Sequence, residues 1–163
     1  MGRCAVTAQD AAQDGARDRA LVVLPADECR TLLATRQLGR IGLAGGAYPL
    51  ILPVNYVLDG DAVVIRTDSP KITAAADHTR VAFEVDDVDE RTRSGWSVLV
   101  QALAEEVTGS RREELVERLR KAGGTPWAPG EHGHWIRLIP KVVTGRRIIP
   151  GQLPPPFEAG GYL

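Results

Sequence analysis

The chain lacks several features that would assign it to a class at once. Among 163 residues it has only two cysteines, Cys4 and Cys29, too few for the disulfide framework that staples small secreted domains. Cys4 falls in an N-terminal lead and Cys29 reads as a small apolar residue on a helix face, so both are expected to be bystanders. An excess of one charge is also missing. Lys and Arg total 20 against 21 Asp and Glu, a formal net charge of −1, and no basic excess or like-charge run points to nucleic acid. No apolar run reaches the roughly 18 residues of a membrane span, and the N-terminus has no apolar signal core, so a soluble, cytoplasmic chain without a membrane partner is expected. There is no G-x-S-x-G, no Walker lysine motif and no cysteine nucleophile with a local partner, which leaves hydrolase and nucleotidase chemistry without residues. His132 and His134 in "GEHGHW" share a strand face, but no third ligand joins them at metal spacing, so no metal is expected. The acidic run "VDDVDERTR" has neither the spacing nor the glycine of a calcium loop and reads as solvated.

What is present fits one domain with a proper core, since a chain of this size buries roughly 70% of its unfolded surface. Residues 1–20 show no sustained period and read as a disordered lead. "LPADECRTLLATRQLGR" predicts a helix with Pro25 in its first turn, Asp27 and Glu28 at its positive end and Gly39 closing it. Short runs rich in Val, Ile and Leu then predict strands: "GRIGLA", "YPLILPVNYVL", "DAVVIRT", "RVAFEVDDV" and "SGWSVLVQALAEEVT". "LDGD" between the second and third is a hairpin signal, because Asp-Gly readily takes positive φ. In "SGWSVLVQALAEEVT" neither face is purely polar, as in a strand covered on both sides. "SRREELVERLRKAGG" predicts a second helix, with Ser110 and Glu113 at capping-box spacing and Leu115, Val116 and Leu119 as its stripe. Trp127 and Trp135 read as core or interface aromatics. "HWIRLIPKVVTGRRII" is one strand or two joined at Pro140, and residues 151–163 form a Pro/Gly-rich tail. Strands that do not alternate strictly with helices favour an antiparallel barrel with peripheral helices, an α+β chain that is mainly β.

The stretch "VVIRTDSPKITAAA" raises the functional question. A strand ends in Arg66-Thr67, and Ser69-Pro70 then opens a short helix as N-cap and first helical residue. Lys71 stands at the positive end of that helix, where a cation is normally unfavourable. An anion between the lysine and the free amides would make sense of it, with Thr67 donating a hydroxyl and Arg66 a further charge. Each charge-assisted hydrogen bond contributes roughly 1.5–3 kcal/mol. The alternative is a plain capped helix with a solvated lysine, and spacing alone does not choose.

Taken together, "GR-I" after the first helix, "PVNYVLDGD", "IRT" followed by lysine, "FEVDD", "GWSVLV" and "TGRRI" resemble the pyridoxamine 5′-phosphate oxidase-like, FMN-binding split-barrel superfamily. The resemblance is closest to the branch with the nitroimidazole-resistance type proteins, common in actinobacteria, and covers about residues 24–149. It implies a homodimer of six-stranded antiparallel split barrels, with two FMN molecules in grooves between the subunits. Pro53, Val54 and Asn55 would lie along the flavin ring, partly through backbone groups, with Tyr56 beside it. Arg66 and Thr67 would meet the flavin and its phosphate, and Ser69 and Lys71 would hold the phosphate. Trp96 and Ser97 would reach the cofactor from the other subunit, and Arg146 or Arg147 would stand near the ring. The oxidase proper has an arginine where Pro70 stands and an Arg-Gln pair at Trp96-Ser97, which weighs against pyridoxamine phosphate as the substrate. The resemblance thus implies a flavin-dependent oxidoreductase acting on some other small molecule. The alternative is a non-catalytic carrier or sensor of flavin, deazaflavin or haem.

Overall fold

The structure is a computed structural model that describes residues 20–44, 48–123 and 133–149. In chain order these form β1 (Ala20–Leu24), α1 (Ala26–Ala34), β2 (Leu38–Leu43), β3 (Leu50–Asp59), β4 (Ala62–Thr67), α2 (Pro70–Ala75), β5 (Asp77–Asp89), β6 (Ser94–Glu106), α3 (Gly109–Lys121) and β7 (His134–Ile149). The lead over 1–19, the tail over 151–163, Cys4, Trp127 and His132 lie outside the described residues.

Every pairing is antiparallel, and the strands run in the order β7-β4-β3-β2-β5-β6, closed by β6 pairing back to β7. This is the expected six-stranded barrel, mainly β with peripheral helices. Closure leaves none of the six with an unpaired edge along its core span. The Asp-Gly turn behaves as the residues suggest: Gly60 has φ of +61°, and Asp59 pairs with Ala62 across it. Alternation then sends one set of side chains inward. Ile41, Phe83, Val85, Val98, Val100, Ile136 and Leu138 are fully buried, and Tyr56 meets Phe83 edge-on with ring centres 5.0 Å apart. A smaller cluster of Val64, Val107, Leu115, Leu119 and Trp135 packs α3 against the outside of β4 and β7.

Several expectations need correction. Leu21-Val22-Val23, read as part of no element, belong to β1, which pairs with the end of β7. The first helix is shorter than its pattern: it stops at Ala34, and Gly39 sits in β2. Gly39 is there because β2 crosses the core closely; a Cβ on it would stand 2.4 Å from Phe83 Cζ. Helix α3 opens at Thr108 rather than Ser110, and no side chain caps it. The acidic run is not a loop throughout. Asp86 and Asp87 lie on β5, where Arg40 and Arg36 respectively pair with them. Strand β6 is covered on one face only: Val98, Val100, Ala102 and Ala104 are buried, while Ser97, Leu99 and Gln101 are exposed. Its second face is open, with consequences for the site.

Strand β7 is a single strand with a bulge next to Pro140, where Gln101 pairs with Val142 and Ala102 with Pro140, leaving Lys141 over. The extra residue shifts the alternation by one. Beyond it, Val143 packs on the core and Gly145 is buried against Cys29, while Val142, Thr144, Arg146 and Ile148 turn outward. Cys29 is fully buried, as a packing residue would be.

Candidate functional site

The outer side of β1, β7, β6, β5, β2 and β3 forms one continuous surface, and the register arranges it in rows. Leu21, Ile148, Gly95 and Val88 make the first row, Val23, Arg146, Ser97 and Asp86 the second, and Thr144, Leu99, Glu84, Arg40 and Pro53 the third. Val142, Gln101, Ala82, Gly42 and Ile51 make a fourth. Large apolar side chains on this surface face outward, Val23 at 75% and Ile51 at 69% exposure being the extremes. Apolar residues dominate the first and fourth rows, while Arg146, Ser97, Asp86, Thr144, Glu84 and Arg40 make the two between them largely polar. In the middle of the face, Arg40 donates to Asp86 Oδ1 and to Glu84 Oε2, the latter at 3.1 Å, and these two carboxylates, Asp86 foremost, raise its guanidinium above the ordinary arginine value.

A cavity of about 610 Å³ opens on this surface near the β5–β6 turn, lined among others by Leu21, Asp86, Trp96, Ser97, Arg146 and Ile148. Three expected site residues line it: Ser97 and Arg146 from the outward face, and Trp96, which has the parity of Val98 and packs partly on the core. Arg146 pairs across the sheet with Ser97 and faces outward, whereas Arg147 points the other way and pairs with Glu28 of α1 at 2.5 Å. The bulge at Lys141 makes this choice, and nothing in the sequence of two adjacent arginines could have made it.

A second recess, a trough of about 580 Å³, lies between the β2–β3 connection and α2, lined by Leu43, Tyr48, Leu50, Lys71, Ala75 and Thr79 among others. Among the described residues, Lys71 is its one charged lining group, and it has no ion pair there. The phosphate turn predicted from the sequence stands at its edge. Ser69 occupies the N-cap position and Pro70 the first helical one, but the serine hydroxyl makes no capping bond. The Ser69 N–H instead donates to Thr67 Oγ1 at 3.1 Å. Thr67 has the same strand parity as Val63 and Ile65, so its hydroxyl lies on the barrel's inner side.

The remaining candidates separate from this turn. Arg66, one residue earlier, faces the opposite way and lies 5.9 Å over the Trp135 ring. Val54 and Tyr56 are core residues. The Tyr56 hydroxyl donates to Leu33 O at 2.5 Å, and burial pushes its phenol up to about 12. Pro53 is exposed on the outer surface, and Asn55, half-buried, reaches Gln37 O at 3.5 Å. At the barrel end, His134 pairs across from Thr67 and binds Glu106 Oε1 at 2.6 Å. No group of three metal-ligating side chains exists among the described residues. Sequence reasoning missed Tyr48 and Thr79 of the trough. Tyr48 could have been flagged as an aromatic stranded in a Gly/Pro connection with no periodic pattern around it.

Residues 25–147 match the family described as pyridoxamine 5′-phosphate oxidase. The chain belongs to that family. Among relatives, a Mycobacterium tuberculosis protein, Rv0080, itself uncharacterised, is 35% identical over 137 residues, covering 80% of this chain and 88% of its own. The solved FAD binding protein of Mycobacterium smegmatis is 36% identical, with a TM-score of 0.64, covering 78% of this chain and 98% of its own. A Bacteroides thetaiotaomicron protein assigned to 5-nitroimidazole antibiotic resistance shares the fold, with a TM-score of 0.61 at 10% identity over 80% of this chain and 89% of its own. The family is one of flavin-binding split barrels, and the barrel order described above matches it. No described helix is long and apolar enough to cross a membrane.

Proposed function

We propose that the chain is a flavin-dependent oxidoreductase that works as a homodimer, with the FMN moiety of its cofactor between two copies and a small molecule as substrate. The observation that carries this reading is Lys71, a cation without a counter-ion among the described residues, opening on a trough that no described carboxylate lines. A phosphate at that corner would meet the Lys71 charge and the uncapped Ser69 hydroxyl, with Asp68 pointing elsewhere in the occupied state and Thr67 bracing the turn through the Ser69 N–H. The ring end would extend along β3, over the backbone of Pro53–Asn55.

One barrel cannot enclose a flavin alone, because both recesses are open and the ring would stay half wet. The open face of β1, β7, β6, β5, β2 and β3 supports a second copy as the cover. Its apolar rows gain by losing water, at about 25 cal/mol per Å² buried. Trp96, Ser97 and Arg146 would then reach the partner's cofactor. When bound, the flavin supplies the hydride and electron chemistry. The chain's own residues hold the phosphate, set the ring against the strand and exclude water. Nicotinamide or reduced deazaflavin would serve as donor. Tyr56 is buried, so substrate choice falls on Trp96 and its neighbours.

A second reading, a carrier or sensor of flavin, deazaflavin or haem, draws support from one feature. Of the carboxylates that line the first recess, Arg40 occupies Glu84 and Asp86, so neither is free to act as a general base on a substrate there. Anaerobic mixing of the flavin-loaded protein with NADPH, NADH or reduced deazaflavin separates the two. Bleaching of the flavin band supports the oxidoreductase; a flavin that no donor reduces supports the carrier, and a Soret band would replace flavin with haem.

A further inference from the structure

The recess near the β5–β6 turn joins an apolar wall to polar groups that the fold leaves unused. Leu21 and Val88 line it while more than half exposed, Ile148 stands beside them, and Trp96 lines it from the core side. Its 610 Å³ falls within the roughly 300–1,000 Å³ of small-ligand sites. Arg146 and Ser97 face each other across β7 and β6. Cross-strand partners on one face have Cβ atoms about 4.5–5.5 Å apart, close enough for a guanidinium and a hydroxyl to reach one group. Neither side chain has a hydrogen bond or ion pair among the described residues, whereas the next arginine, Arg147, is spent on Glu28. Arg40 occupies Glu84 and Asp86, and Glu90 stands with Arg93 on the exposed turn. With Arg40 counted, arginines and acids balance here, so no general field draws an anion in. A ligand anion instead finds donors at one place, Arg146 and Ser97, and a ligand cation finds only Glu90 at the exposed rim.

We propose that this recess binds an apolar carboxylate, an aromatic ring carrying one carboxyl group. The carboxylate lies on Arg146 and Ser97, and the ring lies against Trp96, Leu21 and Ile148. The planar fork of an arginine matches a carboxylate with two parallel N–H bonds, and the Ser97 hydroxyl adds a third donor. The ring takes the open apolar side chains out of water and meets an aromatic face at Trp96. With Glu84 and Asp86 tied to Arg40, the recess orients its ligand and supplies no base of its own. That this ligand class is the substrate rests on the oxidoreductase reading above, in which the second copy's flavin meets the ring; the binding site itself does not depend on it.

The test is calorimetric titration of the full chain, with and without added FMN, using naphthoate and the uncharged naphthamide at about pH 7, where the carboxylate is ionised. The probes share a ring and differ at the group that Arg146 and Ser97 hold. Naphthoate should bind about tenfold tighter or more, the range of a charge-assisted contact at an open site. In Arg146→Gln, naphthoate should fall to the level of naphthamide while naphthamide is unchanged, and Ser97→Ala should narrow the gap. Arg146→Lys, which keeps the charge and loses the fork, should retain part of it. Arg91→Gln removes a charge from the β5–β6 turn without lining the recess and should alter neither probe. Because Arg146 is exposed, its variants should fold, and their melting temperatures check this. Equal affinities for the two probes, or a naphthoate preference that survives Arg146→Gln, would overturn the assignment, and FMN uptake by the same samples would leave the flavin reading standing. Naphthoate held through Arg146 by a chain that takes up no FMN would uphold the site and end the flavin reading instead.

Discussion

Replacing Lys71 with alanine separates a ligand-binding role from a structural one, because the two predict opposite signs. Lys71 is the second residue of α2, where the helix dipole disfavours a cation by about 0.3–1 kcal/mol. Without ligand, Lys71→Ala should therefore melt no lower than the parent. With flavin phosphate the balance reverses. One charge-assisted hydrogen bond contributes roughly 1.5–3 kcal/mol, and at about 1.4 kcal/mol per decade the affinity should fall about 10- to 100-fold. Lys71 is exposed, so the lower end applies at physiological salt. The deficit should shrink further as salt rises and the Debye length contracts from about 8 Å toward about 3 Å at 1 M. Equilibrium titration of FMN fluorescence at low and high salt measures all of this, with Lys71→Arg as the control that retains charge. Parent and variant binding FMN equally well would refute the phosphate corner, and a lowered melting temperature without ligand would make Lys71 a structural residue.

Leu99→Glu, at the centre of the open outer face, should turn a dimer into single chains in sedimentation and weaken flavin retention with it; an unchanged sedimentation coefficient would place the partner elsewhere. Gly39→Ala should lower stability by about 1–3 kcal/mol in a denaturant melt, because the new methyl would stand 2.4 Å from Phe83 Cζ and 2.9 Å from Glu84 O. Tyr56 governs alkaline stability. Its phenol titrates near 10 when unfolded and is raised to about 12 in the fold, so its contribution is full below pH ~10 and is lost as pH rises through ~12. That loss should reach about 2 kcal/mol in urea midpoints across the window and be absent in Tyr56→Phe. Asp59 works with the opposite sign. The Arg118 guanidinium beside it, bonded at 2.9 and 3.2 Å, holds its carboxyl below the usual range, so its tie to α3 is present above the unfolded value near 3.9 and fades as pH falls below it.

How much of this was legible in the sequence follows from the range of the forces involved. The barrel strands and the Gly60 turn were readable because alternation and positive φ are local properties, written within a few residues. Strand β1 was not, because Leu21-Val22-Val23 is too short to show a period and owes its conformation to β7, over a hundred residues away. The capping box at Ser110 and Glu113 failed for a related reason. The chain turns at Thr108 because Val107 N–H donates to Trp135 O at 2.8 Å, a tertiary bond that overrides local spacing. For the site, the start of a short helix at Ser69-Pro70, with Lys71 in its first turn, could be read from those residues alone. The separation of Arg66 from Thr67 follows from strand alternation and was available in principle. The outward turn of Arg146 was not, since it depends on one extra residue at Lys141. The open face of β6 reads as buried from composition because exposed apolar residues on a strand, such as Leu99, are the same residues that fill a core.

The central claim is that a flavin nucleotide is gripped at the end of β4 and closed over by a second copy of the chain. Titration of the chain with FMN, followed by flavin fluorescence and repeated in the sedimentation cell, tests this most directly. The account predicts saturation at about one flavin per chain, with quenched emission that moves with the dimer. Fluorescence that rises in proportion to added FMN, with no saturation and no flavin sedimenting with the protein, would contradict it.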